Sequence, residues 1–281
     1  MSSTILRRFL LLPASAVLLA ATALPARGTT LEKVVSGVYA LENGGRFELD
    51  NVNGAVTIEA WDRAEVEVRA QKVVKSPSDA TARKALAELK VTVDAKPGLV
   101  RVKAHFPHSS GGVLSWLSGH SVDRKVEFHV KVPRQADLHV ETINGGVSLH
   151  GGQGELTLRT TNGGVSVADA SGKLSVDSVN GSLDLRHVSG SIEASTVNGS
   201  IEAEIEARGA SSLSSVNGSV TLKLPRNAQA TISASTTNGR VTTDLPIEGK
   251  AKRTSLSGDL NGGGPRIEVG TTNGRVEILG L

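Results

Sequence analysis

Residues 156–167, LTLRTTNGGVSV, and residues 174–185, LSVDSVNGSLDL, carry the pattern that decides the fold. Each stretch has two short segments in which apolar and polar residues alternate, with an Asn-Gly pair between them. Such alternation is typical of β-strands that turn one side inward. Asn and Gly both tolerate positive φ angles, so the pair predicts a tight corner between the two strands.

The Asn-Gly pair recurs along the chain, and its spacing is regular. From Asn144 onward the steps are 18, 18, 18, 19 and 21 residues, and a longer gap leads to the last pair. A Ser-Gly pair at Ser171 or Ser189 marks a second turn in each period. Repeats of about 20 residues are typical of solenoid proteins. The ten pairs begin at Asn43, Asn53, Asn144, Asn162, Asn180, Asn198, Asn217, Asn238, Asn261 and Asn273.

The repeat predicts a mainly β fold, in which residues 143–281 form a two-sided parallel β-solenoid with about 18 residues per coil. One coil buries about four aliphatic side chains, worth about 8 kcal/mol, whereas ordering each residue costs about 1–2 kcal/mol. Coils must therefore stack, and Asn144 to Ile278 has room for about seven of them. A meander or sandwich of Asn-Gly hairpins is the alternative. The like-for-like match two strands away favours the parallel stack.

Residues 31–142 are less regular and are predicted to form an N-terminal β-rich capping region with one short helix. Ser78 or Asp79 is a suitable N-cap for a helix that ends at Leu89. Such a region would cover the strand edges that a bare solenoid end exposes. At the other end, if the strand from Val276 to Leu279 is uncapped, its edge could pair with another copy.

The corner of each coil is predicted to be closed in two ways. The residue before Asn is Ile143, Val179, Val197 or Val216 in some coils and Thr in others, and we predict that it plugs the corner from inside. The Asn amides are predicted to hydrogen-bond from coil to coil.

Residues 1–26 are typical of a secretory signal peptide. Arg7 and Arg8 precede an apolar run, and small residues would allow cleavage after Ala23 or Ala26. We therefore expect an exported protein, periplasmic or extracellular at the cell surface, without a transmembrane anchor in the mature chain. The sequence has no cysteine, which excludes disulfides, zinc-thiolate sites, a cysteine nucleophile and a lipid-modified cysteine.

The charge pattern argues against nucleic-acid binding. The formal net charge is +3, and loss of Arg7 and Arg8 with the leader would leave 29 basic residues against 28 acidic ones. Nucleic-acid binding needs a concentrated basic footprint, and the sequence has no dense run of Lys and Arg.

The candidate interaction residues are three acidic side chains and one tryptophan. Asp184, Glu202 and Glu204 are predicted on neighbouring outward positions of adjacent coils. A polysaccharide lyase or hydrolase would need such clustered carboxylates, and a solvated sheet face is the simpler interpretation. Trp116 lies in a Gly/Ser-rich loop and either contacts a ligand or anchors the loop. We predict no catalytic residue and no cofactor.

Histidines offer weak evidence for a metal site. His105, His108 and His120 could converge with Asp123, but their spacing fits no known metal motif. A second pair, His129 and His139, could meet if their strands are neighbours. We predict no metal site.

Six segments together resemble the bacterial putative-adhesin family known as domain of unknown function 4097. The resemblance extends over residues 35–280. It implies a β-solenoid-like fold at the cell envelope and carries no catalytic motif. The segments are residues 47–62, 65–68, 126–133, 138–145, 256–264 and 267–274.

Taken together, these patterns predict an exported, non-enzymatic protein of the cell envelope or a secreted protein. It would serve as an adhesin-like interaction scaffold whose partner is an envelope protein or a glycan. Two alternatives stay open: a polysaccharide-acting enzyme on a β-helix, and a self-assembling structural element that forms a homo-oligomer through its C-terminal edge.

Overall fold

A computed structural model describes residues 29–107 and 122–281, and the fold is mainly β, as predicted. The predicted signal segment and Trp116 lie outside the described residues. Within the two described ranges there is a single helix, α1. No helix in these ranges combines the length and apolar character needed to cross a bilayer.

The N-terminal region holds seven strands and the predicted helix. Helix α1 begins after Ser78, whose hydroxyl accepts a hydrogen bond from the Thr81 amide, and it ends before Leu89. The ammonium of buried Lys72 donates to the Leu89 carbonyl at 2.8 Å and holds this end of the helix. The elements are β1 (Thr29–Ala40), β2 (Arg46–Asp50), β3 (Val56–Trp61), β4 (Glu65–Ser76), α1 (Asp79–Glu88), β5 (Lys90–Lys96), β6 (Leu99–His105) and β7 (Asp123–Pro133).

Fifteen further strands follow the Asn-Gly repeat and its C-terminal continuation. They are β8 (Asp137–Asn144), β9 (Val147–His150), β10 (Glu155–Asn162), β11 (Val165–Ala168), β12 (Ser171–Asn180), β13 (Leu183–Asn198), β14 (Ile201–Ile205), β15 (Ser211–Asn217), β16 (Val220–Leu224), β17 (Ala230–Asn238), β18 (Val241–Thr243), β19 (Ile247–Lys252), β20 (Ser255–Leu260), β21 (Arg266–Asn273) and β22 (Val276–Gly280).

Strands before and after the Asn-Gly corners form two separate ladders, here called the first and the second sheet. The first sheet runs β5–β6–β2–β8–β10–β12–β13–β15–β21–β17–β20–β19. The second runs β1–β4–β7–β3–β9–β11–β13–β14–β16–β22–β18. The long strand β13 contributes its start to the second sheet and its end to the first.

Along the repeat, equivalent residues of successive coils face one another. In the first sheet Leu156 pairs with Leu138 on one side and Leu174 on the other, all in parallel. Inward aliphatic side chains from both sheets join one buried cluster. Outward positions along the strands are mostly polar, so the sequence alternation maps onto the inside and outside of the fold.

The coil around Asn53 also belongs to the stack. Strand β2 pairs in parallel with β8, and β3 pairs in parallel with β9. The predicted boundary between residues 142 and 143 falls inside β8. Beyond the Asn53 coil, β4 and β1 extend the second sheet in antiparallel fashion, and α1 packs on both.

The C-terminal repeat lies inside the array, so the strand from Val276 to Leu279 does not form the uncapped edge that self-assembly through the C-terminus would need. Strand β22 lies between β16 and β18, and β21 lies between β15 and β17. The coil of β17 and β18, which comes earlier in the sequence, takes the outer position. Hairpin β19–β20 then pairs with β17 in antiparallel fashion. The chain turns back through this hairpin. The last repeat then pairs between the coil of β15 and β16 and the coil of β17 and β18.

Candidate functional site

A continuous ladder of eight Asn side chains runs along the corner that joins the two sheets. Seven of the eight donate through Nδ2 to the Oδ1 of the Asn in the neighbouring coil at 2.7–2.9 Å, which confirms the predicted coil-to-coil bonds, and Asn53 at the end of the ladder donates to the Arg124 carbonyl. In stacking order the ladder is Asn53, Asn144, Asn162, Asn180, Asn198, Asn217, Asn273 and Asn238.

The inner plug of each corner is the residue two positions before Asn. Thr160, for example, is buried and its hydroxyl donates to the Gly145 carbonyl at 2.9 Å. Thr160 points inward, as Leu156 and Leu158 do, because alternate residues of a strand point to the same side. The same hydroxyl-to-glycine bond, at 2.7–3.0 Å, is made by Ser178, Thr196, Ser215, Thr271 and Thr236.

The residue immediately before Asn therefore points outward, and the prediction that it plugs the corner from inside is wrong. Ile143, Val179, Val197 and Val216 are 46%, 42%, 41% and 43% exposed. We call the stacked set the corner row. In stacking order it consists of Val52, Ile143, Thr161, Val179, Val197, Val216, Thr272 and Thr237.

The three predicted acidic residues do come together on the outer face of the second sheet. Asp184 pairs in register with Glu202, and Glu204 lies two residues further along the same strand. Each carboxylate meets a basic side chain. Asp184 accepts two bonds from Arg186, at 3.0 and 2.7 Å, and Glu202 accepts one from Lys223 at 2.6 Å.

These contacts turn the acidic cluster into a mixed-charge surface. The bond to Asp184 raises the pKa of Arg186, and the bond to Glu202 raises the pKa of Lys223. Glu204 lies 3.1 Å from Nε2 of His187. Glycosidases use a pair of carboxyl groups of which one stays protonated, whereas two of the three carboxylates here form ion pairs with Arg186 and Lys223.

The predicted histidine pair does not form. His129 lies on β7 in the second sheet, whereas His139 lies on β8 in the first sheet, where its Nε2 is 3.1 Å from the Glu141 carboxylate. Within residues 29–107 and 122–281, no group of three or more His, Asp or Glu side chains is arranged to hold a metal ion. His108 and His120 lie outside these ranges.

Three arginines that the sequence reasoning passed over meet near the C-terminal end of the stack. Arg240, Arg253 and Arg275 line an open groove with a volume of about 790 Å³. The signal was present in the sequence, since Arg replaces Gly or Ser directly after the last two Asn-Gly pairs of the ladder. Arg253, however, lies outside the repeat, and only the fold brings it beside the other two.

Comparison with known proteins gives one family match. The model of the family described as Toastrack DUF4097 matches residues 137–279, about half of the chain. No curated protein matches the sequence.

Solved structures of low identity are also similar over most of the chain. One is a putative cell adhesion protein from Clostridium sporogenes, 12% identical, covering 88% of this chain and 99% of its own, with a TM-score of 0.29. Another is a putative adhesin from Bacteroides fragilis, 10% identical, covering 88% and 97%, with a TM-score of 0.34. A third, a putative adhesin from Parabacteroides merdae, is 11% identical, covers 87% and 95%, and has a TM-score of 0.33. Likenesses at this level carry no argument about function.

Proposed function

We propose a function from the premise that the chain belongs to the Toastrack family, domain of unknown function 4097, as its sequence predicted. The protein is an exported, non-enzymatic, adhesin-like protein of the cell envelope or a secreted protein. Its repeats form a two-sided parallel β-solenoid with about 18 residues per coil, which serves as a rigid scaffold for binding an envelope protein. The leader-like residues 1–26 support export.

The corner row is the observation that carries this proposal. Four aliphatic side chains, each more than 40% exposed, stand in line at one corner. Because parallel strands lie about 4.8 Å apart, Val179, Val197 and Val216 form a continuous apolar line, and Thr161 separates Ile143 from it. Single exposed aliphatic residues are ordinary, whereas a contiguous apolar patch rimmed by polar groups is typical of a protein interface.

The surroundings of the corner row suit binding to another protein. The Asn ladder runs beside it, so a partner would meet an apolar line and a polar rim together. The ladder and the buried hydroxyls hold the backbone at each corner through repeated hydrogen bonds. A surface ordered before binding loses little conformational entropy on binding, which favours affinity.

The charge pairing supports a non-enzymatic role. Asp184, Glu202 and Glu204, the best candidates for acid–base chemistry, each contact a basic side chain. As interaction residues they stay a prediction, as does Trp116. Turnover of a cell-wall polysaccharide that is abolished by Glu202→Gln would favour the enzyme alternative.

The test replaces valine with threonine at three positions of the corner row. Val179→Thr, Val197→Thr and Val216→Thr keep the β-branched shape, and three other coils already carry Thr at this position. The folded structure should therefore persist while the apolar line is interrupted. A matched control places Thr at the outward positions Ser175, Ser212 and Ser214 of the same sheet.

Binding is measured by photo-crosslinking in intact cells, with the crosslinking amino acid at Ile143. We expect a crosslinked envelope protein with the wild-type chain and with the serine control, and loss of that product with the triple valine variant. An equal yield from the triple valine variant, with its circular dichroism unchanged, would contradict the proposal.

A further inference from the structure

The residue that follows each Asn-Gly pair changes character along the stack. It is small in the first six coils, and it is arginine in the last two. Because β22 pairs with β18, these two arginines occupy adjacent levels. In stacking order the residues are Ala55, Gly146, Gly164, Ser182, Ser200, Ser219, Arg275 and Arg240.

Backbone hydrogen bonds fix the positions of these arginines and add a third. The Arg240 carbonyl accepts from the Val276 amide at 3.0 Å, and the Arg275 carbonyl accepts from the Val220 amide at 2.9 Å. Arg253, in the turn between β19 and β20, accepts from the Val241 amide at 2.9 Å. Three neighbouring segments therefore each contribute one guanidinium to a single groove.

The charge in this groove is only partly balanced. Arg275 contacts Glu277 at 3.0 Å. Among residues 29–107 and 122–281, neither Arg240 nor Arg253 forms an ion pair, although most other arginines in these ranges do. Like charges on adjacent strands repel each other, and levels of the stack are only about 4.8 Å apart. An anion in the groove would relieve this repulsion.

We propose that the groove lined by Arg240, Arg253 and Arg275 binds an acidic glycan through its carboxylate or phosphate groups. The planar guanidinium presents paired donors that match an oxyanion. Ser219 and Thr242 add hydroxyl groups that can hydrogen-bond a sugar chain. The groove is open to solvent, which suits a polymer rather than a small molecule enclosed by the protein.

The lining of the groove favours a glycan over other polyanions. Single-stranded nucleic acid is held by aromatic side chains as well as by cations, and none of the described residues that line this groove is aromatic. A membrane surface is bound by basic residues beside apolar ones that enter the interface, and the lining here is polar. The proposal rests on the proposed export of the protein, which would place the groove among envelope glycans.

The experiment compares two charge-matched double variants of the full-length chain. Arg240→Gln/Arg253→Gln removes the two unpaired arginines of the groove. Arg83→Gln/Arg208→Gln removes two equally exposed arginines elsewhere, each of which is paired with a carboxylate. Both double variants lower the net charge by two. A difference in binding between them therefore reflects the loss of the groove arginines and not the change in overall charge.

Binding to immobilised polygalacturonate is measured at low and at physiological salt, with neutral dextran as the reference surface. We expect the groove variant to bind about tenfold more weakly and the control to bind within about twofold of wild type, because charge-assisted hydrogen bonds are lost only in the first. Wild-type binding should weaken with salt, since exposed charges are screened.

Three outcomes would overturn the proposal. They are equal losses in the two variants, binding of inorganic phosphate but not of the polymer, and binding of phosphatidylglycerol vesicles but not of polygalacturonate. The corner-row crosslink provides an independent readout. If the valine variant loses the crosslink but still binds polygalacturonate, the glycan site is independent of the corner row. If the groove variant loses polygalacturonate binding but keeps the crosslink, the protein-binding proposal is unaffected.

Discussion

The middle of the stack and its C-terminal end use the same corner but differ in how the chain reaches it. From β8 to β16, stacking order follows chain order. From β17 to β22, the last coil lies inside and the earlier one lies outside. Both regions keep the Asn ladder and the buried hydroxyl, at the same distances. The repeat therefore specifies which residues pair, but not which coil becomes the neighbour.

The largest effect should come from removing the last coil. Truncation after Pro265 would delete β21 and β22, which separate β15 from β17 and β16 from β18. We expect loss of cooperative unfolding in the C-terminal region and a lower urea m-value, because an interior layer is removed. A variant that simply unfolds like a shortened stack, with the remaining strands intact, would contradict the inserted order.

A corner glycine in the middle of the stack should tolerate no side chain. A Cβ on Gly181 would lie 1.9 Å from the Gly163 carbonyl oxygen, which is backbone and cannot move aside. We expect Gly181→Ala to destabilise the protein by about 3 kcal/mol or more in urea unfolding. Gly146→Ser is the control, because later coils carry Ser at the matching position, and it should cost less than about 1 kcal/mol.

The buried hydroxyl should matter equally in the two regions. Thr196 donates to Gly181 in the middle, and Thr236 donates to Gly274 at the C-terminal end, both at 2.9 Å. Thr→Val at either position leaves a buried carbonyl without its partner and should cost about 1–2 kcal/mol. The outward Thr161→Val should change stability by less than about 0.5 kcal/mol. Unequal costs at the two buried sites would show that the corners are not equivalent.

The smallest effect concerns a contact found only in the C-terminal region. The Asp244 carboxylate accepts from the Gly280 amide at 2.7 Å and from Arg226 at 2.9 Å. These bonds hold the pKa of Asp244 below its ordinary value, the Gly280 amide being the larger cause. Its stabilisation is therefore present above the ordinary aspartate pKa and is lost as pH falls through the folded-state value. Melting temperatures of wild type and Asp244→Asn should differ at neutral pH and converge in acid.

Much of this fold could be predicted from the sequence, because apolar and polar residues alternate along each strand of the repeat. Alternation identified the strands, Asn-Gly identified the corners, and Ser78 identified the start of α1. The inward-pointing residue at the corner could also have been predicted. Thr160 is two residues after Leu158 and four after Leu156, and alternate residues of a strand point to the same side.

The inserted C-terminal coil was not predictable in the same way. Asn238 and Asn273 lie in near-identical stretches. Neither stretch contains a residue that determines which of the two Asn side chains bonds to Asn217. The choice depends on the reversal made by β19 and β20, a tertiary feature. The arginine groove was missed because it also needs Arg253, which the hairpin of β19 and β20 brings to the outer coil.

Engineered cysteines test that order most directly, because the chain has none of its own. Ser214 pairs in register with Gly270, and Gly270 pairs in register with Ser235. Neighbouring strands lie about 4.8 Å apart, within disulfide range, whereas strands two places apart lie at about twice that distance. A Thr157→Cys/Ser175→Cys pair in the middle of the stack serves as the positive control.

Under mild oxidation, Ser214→Cys/Gly270→Cys should form an intramolecular disulfide as readily as the positive control, and Ser214→Cys/Ser235→Cys should not. Disulfide formation between 214 and 235, with none between 214 and 270, would mean that the coils stack in chain order. That result would contradict the inserted C-terminal coil.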